Sequence, residues 1–447
     1  MLLERMKSRR VDIPVWIGPD GKILSAPEIE VLVTALRSRH AGLQGRKVVL
    51  RCNSDFLTAR ALLTLDGFCA ELLLIHPGTP ESDCAAVESG FGPDGVLTDA
   101  DFAGDDSPPV PHVKGAAVPE TVTKWMIPTS GTTRTPRLIP HDSASLSRTV
   151  KSPAAGLPHH WGLMYGITRF AGLQVFLQSL LGGGVLLFPP SGASFPEKVR
   201  YLSECGCTAL SATPTHWRKI LMTPLSERLR LQQITVGGEI VDQPLLDLVK
   251  SRFPEARVVH IYASTETGVG FTVKDGLSGF PCSWLADGIE NVRMKIHDGT
   301  LWLKIPGRTL SPTCGIVEVD EEGYINTGDL VLVDSDRVRF LGRMNGTINV
   351  GGNKVSPEEV EQVLLAHPAV LLASAHGARN PISGQIVVAE VALKPGHHTV
   401  ATEIEKELRF FCRERLDLYK VPARVTLVDD LTVNESGKIT RRPQWTG

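Results

Sequence analysis

The amino-acid sequence predicts an α/β protein, and three observations carry that prediction. First, Lys47–Leu50, Asp55–Ala70 and Leu72–Ile75 read in turn as a short apolar strand, an amphipathic helix and a second strand. At this spacing the connection is a βαβ crossover, which builds parallel sheet. Second, the alternation recurs downstream, with strands at Val185–Phe188 and Thr208–Ser211 on either side of a helix at Phe195–Glu204. Third, 447 residues with 42 Gly and 31 Pro leave room for two or three domains and for many turns between short elements.

The elements follow in order. Glu28–Arg39 repeats apolar residues at helical spacing. Asp55 stands near the N-cap of the crossover helix, and His76-Pro77-Gly78 stops the strand after it. Residues 99–119 are rich in Asp, Pro and Gly and read as a surface connection. Val122–Pro128 is apolar enough for a buried strand, and a helix is expected near Ser143–Lys151. His159 and His160 are adjacent, but two neighbouring histidines do not make a metal site without a third ligand at a suitable spacing. They read as structural or pocket-wall residues. Ala212-Thr213-Pro214-Thr215 opens a helix, Ile234–Val236 is a short strand, Gln243–Phe253 a helix and Val258–Tyr262 a further strand. Asp298–Ile305 alternates like a strand of a small β-unit, and Val331–Asp334 pairs with Val338–Phe340 around Ser335-Asp336. The last hundred or so residues read as a small α/β unit, with helices at Pro357–Ala366 and Ile404–Leu416 and strands at Val370–His376 and Ile386–Lys394.

Composition narrows the function. A net charge of −2 lacks the basic excess of a general nucleic-acid binder. Eight Cys without a CxxC pair read as reduced, mostly buried thiols of a cytoplasmic protein. The opening MLLERMKSRR is charged rather than signal-like, and no apolar run is long enough to span a membrane.

The chemistry concentrates at Val122–Arg137. After the apolar strand come Thr129, Ser130, Gly131, Thr132 and Thr133. A Gly-centred turn exposes successive backbone N–H groups, and hydroxyls add donors that rotate to suit, so the stretch can cradle a polyphosphate. Arg134 and Arg137 add fixed charge that forks onto phosphate oxygens. The string is not a Walker A loop, whose Gly-Lys-Ser/Thr is missing. Alone, it is also compatible with an ordinary polar turn after a strand. Downstream, Tyr262-Ala263-Ser264-Thr265-Glu266 closes a strand, where ligands of parallel sheets bind. There Tyr262 can stack on a flat base, Thr265 can bond a phosphate oxygen, and Glu266 is a hard oxygen ligand for Mg²⁺.

The stretch Thr129–Arg137 resembles the signature loop of the adenylate-forming superfamily, which includes acyl-CoA synthetases, aryl-acid ligases and adenylation domains of peptide synthetases. Arg134 stands where that pattern has a second Gly, and Arg137 where it has Lys. Further motifs follow in the family's order. Gly237-Gly238-Glu239 matches the turn against which adenine lies. Tyr262-Ala263-Ser264-Thr265-Glu266 matches Tyr-Gly-x-Thr-Glu with one small-for-small change. Gly323–Asp329 matches Gly-Tyr-x-x-Thr-Gly-Asp, Arg343 heads the hinge motif, and Gly437-Lys438-Ile439-Thr440-Arg441 ends the series.

The resemblance implies a large N-terminal domain of mixed and parallel sheets flanked by helices with a β-unit, residues 1–344, and a small mobile α+β C-terminal domain, residues 345–447. It implies that an acid is activated by Mg·ATP to an acyl-AMP and then passed to a thiol, of coenzyme A or of a carrier protein's phosphopantetheine. Asp329 is then the ribose ligand, Arg343 lies at ribose and phosphates, and Lys438 reaches between the carboxylate and the α-phosphate. Asn345 takes the place of the hinge Asp, and Asn349 that of a Lys. Gly351 and Gly352 fall on the thiol-acceptor side. Arg169, Phe170 and Gly172 fall in the segment that lines the acyl pocket. Phe170 replaces the Asp that holds an α-amino group, so the substrate is expected to lack one. Arg169 either contacts a polar or acidic group of the substrate or forms a structural salt bridge. Arg134, Asn345 and Asn349 also leave open a member that binds ATP or acyl-AMP without efficient turnover.

Overall fold

The computed structural model describes residues 1–9, 13–103, 121–129, 137–151, 158–308, 317–396, 401–434 and 436–440. The expected phosphate loop, Ser130 to Pro136, and most of the 99–119 connection lie outside the described residues, as does Arg441. The chain divides into two compact units: residues 1–211, 227–234 and 264–269 form the first, and residues 212–226, 235–263 and 270–447 the second.

In the first unit the expected βαβ crossover is present. Strands Lys47–Arg51 and Glu71–Leu74 pair in parallel, with Val49 opposite Leu73. They lie in a five-stranded sheet that continues on one side to Gly95–Thr98 and on the other to Lys124–Thr129 and Arg137–His141. Only the last pair is antiparallel, and its register sets Thr129 opposite Arg137. Val122 falls before the strand rather than within it and is 75% exposed. A second set of strands, Trp16–Ile17, Val185–Leu187, His160–Gly162 and Ala209–Ala212, pairs in parallel.

The crossover helix Asp55–Leu65 ends five residues earlier than its apolar periodicity predicts. Asp66 is extended and Gly67 adopts φ +77°, which ends the helical ladder. Ser54 rather than Asp55 caps its start, its hydroxyl accepting from the Leu57 N–H at 3.3 Å. Asp55 instead accepts from the Ile167 N–H at 2.8 Å. Trp16, Phe56 and Phe188 meet edge to face at the centre of this unit's core, with centroids 5.3–6.0 Å apart.

In the second unit, an antiparallel sheet runs in the order Phe280–Pro281, Arg337–Arg343, Ile325–Asp334, Thr300–Lys304, Arg293–His297. The Ser335-Asp336 turn is where the sequence places it, and Ser335 takes φ +56°. The C-terminal residues build their own core. Helices Pro357–Leu365 and Ala401–Arg413 cover a sheet dominated by the pair Val370–Asn380 and Gly384–Leu393. Ile348, Val360, Leu364, Val391 and Leu408 are fully buried there. At about 1.5–3 kcal/mol for each buried aliphatic side chain, this cluster is enough to hold the segment as a body.

Asn349 has a structural task. Its side-chain oxygen accepts from the Gly352 N–H at 3.0 Å. That bond closes the tight turn between Ile348–Val350 and Asn353–Val355, where Gly351 and Gly352 take φ +58° and +92°. A lysine has no acceptor to offer at this position. Asn345 lies exposed in the single 3₁₀ turn Met344–Gly346.

Candidate active site

The second unit gathers many of the residues singled out from sequence. Strand Gln233–Gly237 ends in a turn at Gly238, φ +84°. Gly237 is required by its neighbour: a Cβ there would stand 2.6 Å from Ile261 Cγ2 and 2.9 Å from the Ile261 carbonyl. Gly237→Ala is therefore expected to destabilise the protein by about 1–3 kcal/mol in chemical denaturation. An unchanged midpoint and slope would refute that contact.

Glu239 caps rather than reaching outward. Its carboxylate accepts from the Thr215 N–H at 2.9 Å and the Thr215 hydroxyl at 3.0 Å. It thus sits at the N-terminus of helix Pro214–Met222, where negative charge is favoured.

Tyr262 lies on strand Arg257–Ser264. Its ring, which the sequence offers to adenine, stacks parallel to Phe271 and Phe340 at 5.1 and 5.2 Å. Its hydroxyl donates to Asp329. The other Asp329 oxygen pairs with Arg343 Nε at 2.8 Å. Arg343 also donates to the Thr327 carbonyl at 2.9 Å, while the Thr327 hydroxyl receives the Asp329 N–H at 3.2 Å. Burial raises the Asp329 pKa, opposed by the positive charge of Arg343 and the Tyr262 bond. The result is a nearly buried carboxylate held by donors on both oxygens beside an exposed arginine.

Lys438 approaches this cluster from the C-terminal segment. Asn434 and Lys438 close a turn in which the Asn434 N–H donates to the Lys438 carbonyl at 2.8 Å, with Gly437 at φ +74°. Gly437 packs directly on His216: a Cβ there would lie 2.7 Å from its Nδ1. The Gly437 carbonyl accepts from the Thr213 hydroxyl, which in turn caps helix Pro214–Met222 by accepting the His216 N–H at 3.1 Å. Lys438 Cε comes within 3.7 Å of the Cβ position of Gly238, and the lysine charge is felt at Asp329. Lys219 adds an ion pair to Asp430 at 2.7 Å. Sequence reasoning saw Thr213 only as a helix start. Its contact with the Lys438 turn joins residues too far apart in the chain for any local pattern to reveal.

The first unit holds the remaining candidates. Thr129 and Arg137 face each other across the hairpin, and the Thr129 hydroxyl is 3.5 Å from the Arg137 carbonyl. Ser130, Gly131, Thr132 and Thr133 lie outside the described residues. Thr265 and Glu266 occupy a turn closed by Ser264, whose hydroxyl accepts from the Thr267 N–H at 3.0 Å and meets the Thr267 hydroxyl at 2.9 Å. Ser264 thus shapes the turn. Ala263 precedes it on the strand.

Arg169 precedes helix Phe170–Leu181. The far end of that helix is fixed by Arg9, which donates to the carbonyls of Ser179, Leu180 and Gly184. Burial, and then the charge of Arg169, push His76 down to about 3, so this imidazole stays neutral. Gly172 is forced small, because a Cβ would meet the Gly166 carbonyl at 2.3 Å. Phe170 packs on His141 at 5.7 Å. Among the described residues no group of three His, Cys, Asp or Glu forms a metal cluster. Seven cysteines there are free thiols, five of them buried.

Solved adenylate-forming enzymes share this architecture. An anthranilate CoA ligase, AuaEII, in complex with anthranoyl-AMP superposes with a TM-score of 0.80 at 17% identity, covering 98% of this chain and 94% of that one. A benzoate CoA ligase from Burkholderia xenovorans gives 0.80 at 17% identity, with coverage of 98% and 97%. The chain belongs to the AMP-binding enzyme family: residues 56–301 match that family, and residues 359–438 match the AMP-binding enzyme C-terminal domain. Among curated relatives, 4-hydroxybutyrate–CoA ligase 1 of Metallosphaera sedula is 30% identical over 345 residues, 70% of this chain and 60% of that protein. 2-Succinylbenzoate–CoA ligase of Bacillus cytotoxicus is 29% identical over 345 residues, 71% of this chain and 68% of that one. The matched stretch thus spans about 60% of the first relative's length.

Proposed function

We propose that the protein is an ATP-dependent acid–thiol ligase. In the first half-reaction a carboxylate oxygen attacks the α-phosphorus of Mg·ATP, the bond to the β-phosphate bridging oxygen breaks, and acyl-AMP and pyrophosphate result. In the second, a thiol displaces AMP. Relatives named as CoA ligases support coenzyme A as acceptor over a carrier-protein arm. The observation that carries the reading is the placement of Lys438, on a turn anchored by Thr213, beside the Gly238 turn and the Asp329 cluster.

The roles follow from chemistry. Asp329 accepts the ribose hydroxyls, and Arg343 adds charge next to them. The lysine lowers the repulsion between two anions and stabilises charge as pyrophosphate departs. Thr265 and the hydroxyl-rich loop with Arg137 bond phosphate oxygens, and Glu266 coordinates the Mg²⁺ that arrives with ATP. Asn345 serves as the pivot between residues 1–344 and 345–447. Gly351 and Gly352 lie toward the thiol, and the protein works in the cytoplasm.

The acid is an aryl or modest acyl acid without an α-amino group, in keeping with Phe170. Hydroxylamine trapping across aryl, fatty and dicarboxylic acids, repeated with coenzyme A, tests the proposal. Hydroxamate should form with one class and give way to thioester when the thiol is added. ATP binding without hydroxamate from any class would refute it. Arg169 faces a polar or acidic group of that acid. Arg169→Met should then lower kcat/KM for the preferred acid by about tenfold relative to an apolar analogue. Unchanged selectivity would remove Arg169 from the pocket.

A further inference from the structure

The turn bearing Thr265 and Glu266 is pinned from outside by a residue that no motif assigns. His141 ends strand Arg137–His141, the strand that returns from the expected phosphate loop, and is only 4% exposed. Its Nε2 lies 2.8 Å from the Thr265 carbonyl oxygen. A carbonyl only accepts, so Nε2 carries the proton and donates. Its Nδ1 faces the Ser145 hydroxyl at 3.3 Å, which fixes the ring from the opposite edge. Phe170 packs on the ring at 5.7 Å and 37°. One imidazole therefore touches both the strand-end turn and the residue expected to wall the acid pocket.

We propose that His141 is a positioning residue for the adenylation step, holding the Thr265–Glu266 peptide in the orientation that presents Thr265 to the α-phosphate and Glu266 to Mg²⁺. This rests on the acid-activating reading above. The Thr265 carbonyl and the Glu266 N–H belong to one planar peptide, so fixing the carbonyl fixes the plane from which Glu266 departs. Ser264 closes the turn from within but leaves that plane to His141. Without the donor, the carbonyl loses its partner in a largely buried place and the peptide is free to rotate. Misplacement of the reacting groups by about 1 Å costs about 100-fold in rate.

The test compares wild type, His141→Gln and His141→Leu. Glutamine sets an N–H near the Nε2 position, and leucine keeps apolar bulk without a donor. In pyrophosphate exchange, leucine is expected to lower kcat about 100-fold and to raise the Mg²⁺ needed for half-maximal rate about tenfold. Glutamine should stay within about threefold of wild type on both. Equal losses in the two variants, or a leucine variant that behaves as wild type, would overturn the proposal. Should the leucine variant not fold, His141→Asn replaces it, since its amide ends short of Nε2, and it should be as defective. Absence of exchange in wild type with every acid would count against the ligase reading alone. The Mg²⁺-dependent part of thermal stabilisation by ATP then decides on His141. Glutamine should keep that shift and leucine lose it, and equal shifts in all three proteins would contradict the assignment.

Discussion

Lys438→Ala is expected to lower acyl-adenylate formation by about 100- to 1,000-fold while leaving thioester formation from supplied acyl-AMP near the wild-type rate. The lysine is asked to do one thing: neutralise two anions as they approach and as charge moves onto pyrophosphate. A preformed adenylate no longer needs that help. The structure explains why the effect should be sharp. Lys438 sits on a turn held by Gly437 against His216 and by the Thr213 hydroxyl, so its ammonium is delivered from a fixed base. Truncation at Cβ leaves that base intact, and the two half-reactions can be assayed separately on the same preparation. Equal loss of both would mean that the turn serves general folding rather than adenylation.

Asp329→Ala is expected to weaken ATP binding about 100-fold, read as KM for ATP in exchange or as Kd by titration. Three losses combine. The ribose loses its acceptor, Tyr262 loses the carboxylate that receives its hydroxyl, and Arg343 loses its ion-pair partner. Asp329→Asn separates them, because it keeps the volume and one acceptor oxygen but not the charge. It should fall between wild type and alanine. Unchanged affinity in the alanine variant would remove Asp329 from the nucleotide site and, with it, the ribose role taken from the family resemblance.

Much of the fold was legible because local patterns and tertiary demands agree. The crossover from Lys47 to Leu74 combines a strand, an amphipathic helix with a serine cap, and a strand buried on both faces. What misled was the stretch after Leu65, which stays apolar and mimics further helical turns. Only the positive φ of Gly67 and the extended Asp66 end them. The site was readable for the opposite reason, since the Gly, Asp and Lys motifs are tied to chemistry rather than to packing.

Bonds between distant residues were not readable. The aromatic stack on Tyr262, the capping of Thr215 by Glu239 and the anchoring of Gly437 by Thr213 each join side chains brought together only by the fold. His141 belongs with them. Nothing in Leu-Ile-Pro-His-Asp marks a residue that reaches Thr265. Asn349 shows the same limit from the other side: as a lost lysine it looked like a defect, whereas in the structure it closes a glycine turn.

The central claim is that this chain joins a carboxylate to the α-phosphate of ATP. Acid-dependent exchange of labelled pyrophosphate into ATP measures that step directly, without the thiol and before any domain pivots. A panel of aryl, fatty and dicarboxylic acids should yield exchange with one class that vanishes when Mg²⁺ is chelated and is lost in Lys438→Ala. Protein that binds ATP yet exchanges no pyrophosphate with any acid in the panel, or whose exchange survives loss of Lys438, would contradict the account.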